Sequence, residues 1–450
     1  MAPKIAEKAT YKTLFKMTAF PIAMMVFTSI YSIVDGIFVA NFSGATGFAA
    51  INLIFPFVFI VGSLGFMVGT GGTALCSKLL GEKQREKANA IFTMLLLFTL
   101  IFGSIVAIIS FFCVEPIVRG LSSFSQDSRP ETIEQAIIYG RIMVLGQPIC
   151  MIQYLFHPYL MAAGKTRIAF RTTVAGGVTN MVLDALLIGV FGLGVIGAAA
   201  ATLCGYLASI IAPLILFARK KEWDLHFSKP CLDWGALGKT LYNGLSEFVG
   251  NISGSIVAIF FNVQLLKVYG EDGVSAYGII MYVSFIFSAI FIGYCLGVSP
   301  MISYQYGAKN NGELQQLFIK SLIIISVTGL VMLGLSLTLA RPFAHAFSSG
   351  VERLEEISTQ GLRIYSISFF FAGIAIFGSA FFTALNNGLI SGFISFVRTL
   401  VFQITFVMTL PLLMGAVGIW WSIVFSEILA SAVSTLFFIL KRKKYGYFTK

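Results

Sequence analysis

Charge is what this sequence has least of. Asp, Glu, Lys and Arg make up 11% of its 450 residues, against about 25% in a soluble domain. With 57% hydrophobic residues and a mean hydropathy of +0.88, that scarcity excludes an ordinary soluble domain and reads as a multi-pass membrane protein. Cysteine is sparse too. Cys76, Cys113, Cys150, Cys204, Cys231 and Cys295 are scattered without a CxxC, and five fall in or at the edge of apolar runs, so they are expected to be buried small hydrophobes rather than a disulfide framework. His157, His226 and His345 are far apart and form no metal-ligand pattern. There is no HExxH, GxSxG or Walker-type sequence, so neither an enzyme, a bound cofactor nor ATP drive is expected. The start, MAPKIAEKAT, carries no cleavable-signal pattern, and the first apolar run is long enough to remain as a span.

What is abundant fits a helical bundle in lipid. The 44 glycines and 12 prolines suit close helix packing and kinks. A span needs about 20 apolar residues. Twelve runs qualify: 14–40, 47–77, 89–112, 136–162, 168–190, 194–218, 241–268, 274–303, 317–340, 361–385, 389–413 and 416–440. The fold class is therefore an all-α membrane protein of 12 transmembrane helices. Lys and Arg set its orientation. One set of connections and span ends, including Lys4 to Lys16, Lys78 to Lys87, Lys165 to Arg171, Arg219 to Lys239, Arg398 and Lys441 to Lys450, holds 24 of the 31. The other holds Arg119, Arg129, Arg141, Lys267, Arg341, Arg353 and Arg363. This bias places both termini in the cytoplasm and supports an even number of spans in the cell membrane. The net charge of +11 resides in these short loops, so no nucleic-acid partner is expected.

The two halves resemble each other. GEKQREKANAIF (81–92) lies over GAKNNGELQQLF (307–318), and Arg171 over Arg398. Six spans per copy is even, so two six-helix lobes would be related by a pseudo-two-fold axis along the membrane normal. The lobes are expected at 1–218 and 241–450, joined by a cytoplasmic linker over 219–240. Trp223 and Trp234 in that linker suggest that it lies along the membrane interface.

Four acids fall inside spans: Asp35, Asp184, Glu247 and Glu427. A charge at mid-span costs roughly 2.5–3.5 kcal/mol, so each needs a structural partner or a task. Repeat-related positions hold Phe261, Pro411, Pro21 and Tyr206, which argues that the architecture does not require the acids. Asn180 and Asp184 are one turn apart on one helix face. Asp35 lies at similar depth, and Thr202 and Tyr139 could reach that level. These five residues are the candidate coupling site for a cation or proton. Asp35, Asn180, Asp184 and Thr202 offer the oxygens that suit Na⁺, and two close carboxylates in low dielectric would share a proton. The structural alternative is that each acid bonds a neighbouring helix as packing glue. Glu247 and Glu427 are possible secondary acidic sites. Pro21 is a candidate hinge in the first span, or a static kink.

Several stretches carry a resemblance: VDGIFVANFSG (34–44), the YGRI…GQP pattern at 139–148, AAGKTR (162–167), NMVLDALLIGVFGLGVIGAAAATL (180–203) and GAVGIWWSIVFSEILA (415–430). With Pro21, they run in the order of the multidrug and toxic compound extrusion (MATE) transporters of prokaryotic type, which the chain resembles over nearly its whole length. The resemblance implies a V-shaped pair of lobes. It implies export of organic, mostly cationic and amphipathic compounds in exchange for H⁺ or Na⁺, with Asp35 as the main coupling residue. It also places a cation or proton network at Asn180, Asp184, Thr202 and Tyr139. Some members pair a seventh-span Glu, here Glu247, with a tenth-span Asp, but the tenth run here contains no acid, which favours the N-terminal lobe. A monomer with small-molecule substrates is expected. The alternative is a lipid-linked precursor flippase of the same superfamily. A pyrophosphate headgroup would call for a deep Arg or Lys, and every Lys and Arg reads as lying near a span end. A channel would suggest rings of like residues or a filter loop, and none is visible.

Overall fold

The computed structural model describes residues 4–122, 129–219, 222–347 and 351–448; of the linker, Lys220 and Lys221 lie outside the described residues, as does Lys450 of the basic C-terminus. Among the described residues there is no strand. The helices are α1 (Tyr11–Phe42), α2 (Gly44–Gly81), α3 (Arg85–Ser122), α4 (Pro130–Leu145), α5 (Gln147–Ala162), α6 (Thr166–Asp184), α7 (Gly194–Arg219), α8 (Trp234–Tyr269), α9 (Glu271–Gly307), α10 (Asn311–Phe347), α11 (Glu352–Ser366), α12 (Ser368–Ala384), α13 (Gly388–Phe396), α14 (Gln403–Met414) and α15 (Gly418–Tyr445). Among the described residues nine helical stretches are long and apolar enough to cross a membrane, or eleven with each of two bent pairs taken as one span. One of the nine, Gly388–Tyr445, runs 58 residues, more than twice what a bilayer needs. It is broken at Gly415, which has a left-handed φ of 64°, and at a single 3₁₀ turn over Gly415–Val417.

The bends have local causes. The α4–α5 pair turns by 52° at Gly146, where Pro148 in the first turn of α5 lacks the N–H that would continue the ladder. The α11–α12 pair turns by 49° with neither Gly nor Pro at the break. There the Ser366 hydroxyl bridges the Leu362 carbonyl and the Ser336 hydroxyl of α10, a back-bond of the kind that bends helices.

Glycines bring the two halves of the chain together. A Cβ at Gly244 of α8 would collide with the Met67 carbonyl of α2, and one at Gly71 with the Thr240 carbonyl of α8. Further toward the end of the bundle that carries both termini, Gly81 meets the Tyr304 carbonyl and Gly307 the Lys78 carbonyl. In α1, Pro21 leaves the Met17 carbonyl without its helical donor. Gly297 of α9 packs on that carbonyl, where a Cβ would come within 2.8 Å. Backbones approach this closely only where side chains are absent. Gly244→Ala is therefore expected to destabilise the protein by about 1–3 kcal/mol through overpacking. Gly250→Ala, at a position with nothing within 4 Å of the added carbon, should be neutral or stabilising. Thermal unfolding in detergent checks both.

Two straps reinforce the assembly. The N-terminal segment crosses to the second half of the chain. The Ala9 N–H donates to Glu313 Oε2 at 2.7 Å and Lys320 Nζ donates to the Ala9 carbonyl at 2.5 Å, with Ile5 fully buried. The linker instead docks on the first half. Arg85 donates to the Trp223 carbonyl at 2.5 Å, and the His226 N–H to Asn89 Oδ1 at 3.0 Å. Of the two linker tryptophans expected along the membrane interface, Trp234 is 69% exposed, whereas Trp223 is 8% exposed and turned into the protein. Trp223 packs edge-on against Phe217 of α7 with Lys165 over its ring, an apolar contact within the first half of the chain.

Candidate cation-coupling site and central cavity

The region of the first half where α1, α6 and α7 meet is assembled by close helix packing. Gly176 of α6 and Gly205 of α7 abut; a Cβ on Gly205 would lie 2.8 Å from the Gly176 carbonyl and 3.0 Å from Asn180 Cβ. Gly177 admits the Phe27 and Tyr31 rings of α1, 2.6 and 3.2 Å from where its Cβ would sit. These contacts draw α1, α6 and α7 together and carry Asp35 to the face shared by Asn180 and Asp184. The α-helix changes into a π-helical turn over Ala185–Val190 directly after Asp184, a local widening frequent at functional positions.

The three side chains Asp35, Asn180 and Asp184 come within interaction range of one another. They do not saturate one another. Asp35 Oδ1, both Asp184 carboxyl oxygens and both Asn180 terminal atoms are buried without a well-formed hydrogen bond. Asp184 is fully buried and Asn180 4% exposed, whereas Asp35 is half-buried. Buried polar atoms are ordinarily paired, so these four oxygens and one amide nitrogen make a concentrated polar site in an apolar bundle. Tyr139, buried on α4, lies within electrostatic reach of both carboxyls. Thr202 is half-buried on α7 and donates to its own Ala198 carbonyl at 2.9 Å; no hydrogen bond joins it to the acids among the described residues. The structure adds residues that the sequence reading did not select. Tyr31 faces Asp35, and Tyr206 adjoins Tyr31, Tyr139, Tyr154 and Cys150. Their spacing is that of ordinary helix-buried aromatics, so only the helix packing shows that they converge.

A second feature is a cavity of about 450 Å³ between the halves. Phe66, Thr70 and Met25 line it from one side, and Glu247, Ser284 and Arg398 from the other. Glu247 is half-buried and forms no hydrogen bond or ion pair among the described residues. Hydroxyls dress the wall: Ser379 bonds Ser391 and Ser395, each at 2.9 Å, and Thr383 bonds Ser391 at 2.6 Å.

Arg398 departs from the expectation that every Lys and Arg lies near a span end. It sits ten residues into the helical stretch that begins at Gly388, within a π-helical turn over Val397–Phe402, and faces the cavity. Its Nε donates to both Glu427 carboxyl oxygens, at 3.0 and 2.9 Å, with Arg398 20% and Glu427 5% exposed. The pair explains the mismatch: the carboxylate offsets a charge that a hydropathy window treats as belonging at a surface. Glu427 is thus taken up by an arginine, while Glu247 is not. Pro21 is buried within α1, which stays helical on both sides of it.

The family model MatE matches twice, at residues 21–186 and 248–409. The chain belongs to the MATE family. Its members are transporters rather than enzymes. The multidrug export protein MepA of Staphylococcus saprophyticus is 25% identical over 436 residues, spanning 95% of this chain and 94% of that protein. MepA of Staphylococcus aureus is 24% identical over 435 residues, again with 95% and 94% covered. Among solved structures, a MATE protein crystallised in complex with MaL6 superposes with a TM-score of 0.91 at 22% identity, covering 98% of both chains. A multidrug resistance MATE transporter in an outward-facing conformation matches equally well, with a TM-score of 0.91, 22% identity and 98% of both chains covered. These likenesses establish the MATE fold in a helical membrane protein.

Proposed function

We propose that this MATE protein is a secondary active multidrug efflux antiporter of the cell membrane. It exports organic, mostly cationic and amphipathic compounds in exchange for H⁺ or Na⁺ bound at Asp35, Asn180 and Asp184. The observation that carries this reading is the cluster of buried oxygens on those three residues that lack a well-formed hydrogen bond while lying within interaction range of one another, in a chain of this family. A proton shared by two carboxylates, or a Na⁺ held by carboxylate and amide oxygens, would satisfy them. The names of the MepA relatives support multidrug export as the task. Tyr139 would adjoin the ion, and Thr202 would contribute a lone pair of its hydroxyl after a rotation of α7. Glu247 is the secondary acidic position, available to a cationic substrate in the cavity; Glu427 serves as the counter-ion of Arg398.

The architecture in this reading is two six-helix lobes, 1–218 and 241–450, related by pseudo-two-fold symmetry in a V, with the 219–240 linker and both termini cytoplasmic and the protein a monomer. The glycine contacts at Gly71, Gly81, Gly244 and Gly307 then close the cytoplasmic side. Pro21 lies in α1 against Gly293 of α9, where a hinge would act. Transport requires only that ion and substrate favour different states. A lipid-linked precursor flippase is the second reading, since Arg398 does reach the cavity. Glu427 neutralises that arginine and Glu247 adds negative charge, which disfavours a pyrophosphate headgroup.

Proteoliposomes with a fluorescent ethidium-type cation test the proposal, with pH and Na⁺ gradients imposed separately. Movement of the dye under one gradient is expected, and that gradient names the ion. Movement under neither, with folded protein, would overturn antiport.

A further inference from the structure

A second recess lies away from the coupling site, at the end of the bundle that carries the termini. It has a volume of about 330 Å³ and lies between α10, α12 and α15. Phe318 and Leu322 of α10, Ile374 of α12 and Phe438 of α15 give it an apolar wall. The chain end completes it. Gly446 ends α15 in the left-handed conformation, with φ 71°, so the backbone folds back. This buries Tyr447 against Phe318, with ring centroids 4.9 Å apart, and brings Phe448 to 5.9 Å from the same ring. A side chain at Gly446 would have to adopt that φ and meet Asn311 atoms at 2.6–2.9 Å.

The recess has a charged edge. Arg442 lines it, one turn beyond Phe438 on α15, within the run Lys441, Arg442, Lys443, Lys444. Arg442, Lys443 and Lys444 are exposed and Lys441 half-exposed. No carboxylate pairs with any of the four among the described residues. An apolar slot that runs into the bundle and ends at unpaired cations on the span's end matches one kind of molecule in both parts, an acyl chain joined to an anionic headgroup.

We infer that the α10–α12–α15 recess binds one anionic phospholipid, an acyl chain lying against Phe318, Leu322 and Ile374 and the phosphate on Arg442. The charge complementarity argues for this occupant over a neutral lipid, because each basic side chain near an anionic surface contributes about 1 kcal/mol. By the Lys and Arg asymmetry the leaflet is the cytoplasmic one. The site stands apart from the coupling site and the central cavity, and its test does not depend on transport.

The test uses full-length protein stripped of lipid in detergent and titrated separately with phosphatidylglycerol and phosphatidylcholine of the same acyl chains, with adducts counted by native mass spectrometry. Wild type is expected to retain phosphatidylglycerol at least ~10-fold more tightly, as several basic residues together would give. Arg442→Gln should weaken that adduct about fivefold. Leu322→Trp and Ile374→Trp, which fill the slot from two different helices, should each abolish the tight adduct while leaving thermal unfolding near the wild-type midpoint. Equal retention of the two lipids would overturn the inference. So would a phosphatidylglycerol preference that survives both tryptophans, since the basic run would then act as a surface without the recess. A dimer in place of lipid adducts would assign the recess to a second copy and overturn it too.

Discussion

Asp35→Asn is expected to cut gradient-driven export in proteoliposomes by at least ~50-fold, near the upper end of the range for a two-site coupling, without loss of folded protein. The change is nearly isosteric and removes the ability to bind or release a proton and to offer a charged ligand to Na⁺. Asp184→Asn should fall by a similar factor. Because the two carboxyls and Asn180 lie within interaction range at one place, a shared coupling role predicts that the double variant loses little more than either single one. Groups that act as a unit are strongly non-additive. Multiplying losses would mean two independent sites and would count against shared coupling. Stability separates this from packing glue. Asp35 Oδ1 and both Asp184 oxygens lack well-formed hydrogen bonds, so neutralising them should leave the thermal midpoint unchanged or raised, as when a functional strain is released. A glue residue would show the opposite, a lower midpoint and a modest loss of transport.

Much of this was legible in the sequence, for reasons that particular residues make plain. The apolar runs coincide with helices or bent pairs because lipid leaves the backbone no other way to satisfy itself. Asn180 and Asp184 announced a shared face by their spacing, and an acid in a span is costly enough to stand out. Asp35 was harder, since its meeting with Asp184 depends on Gly177 accepting the Phe27 and Tyr31 rings, a contact across 150 residues of chain that no local pattern encodes. Tyr139 was selected by its depth, but Tyr31 and Tyr206 were invisible for the same reason. The α11–α12 bend escaped because its cause is a hydroxyl of Ser366 meeting Ser336 on another helix rather than a Pro or Gly. Arg398 was misplaced because its partner lies 29 residues away on α15. One arginine in an apolar run reads as a span end unless the carboxylate that permits it can be seen.

The Arg398–Glu427 pair carries the second large expectation. Glu427→Met leaves the guanidinium facing the bundle without its carboxylate, and removing one partner of a buried pair costs about 3–5 kcal/mol. Arg398 keeps 20% of its side-chain surface open to the cavity, so water can reach it and the lower end of that range applies. Arg398→Met alone should cost comparably, through the stranded Glu427 at 5% exposure. The two changes together should be within ~1 kcal/mol of wild type, because apolar side chains of similar volume replace a buried ion pair at little net cost. Thermal or denaturant unfolding in detergent of the four proteins closes the cycle and isolates the coupling. Losses that simply add in the double variant would mean that the pair is not a unit and that each side chain is held by other contacts. Transport by the double variant then decides what the pair is for. If it still moves a simple cation driven through Asp35, the pair only lets α13–α14 pack against α15. If coupling is lost while stability is retained, the charges themselves shape the cavity. Glu247, the acid in that cavity with no ionic partner among the described residues, would then depend on them for the field in which it meets a cationic substrate.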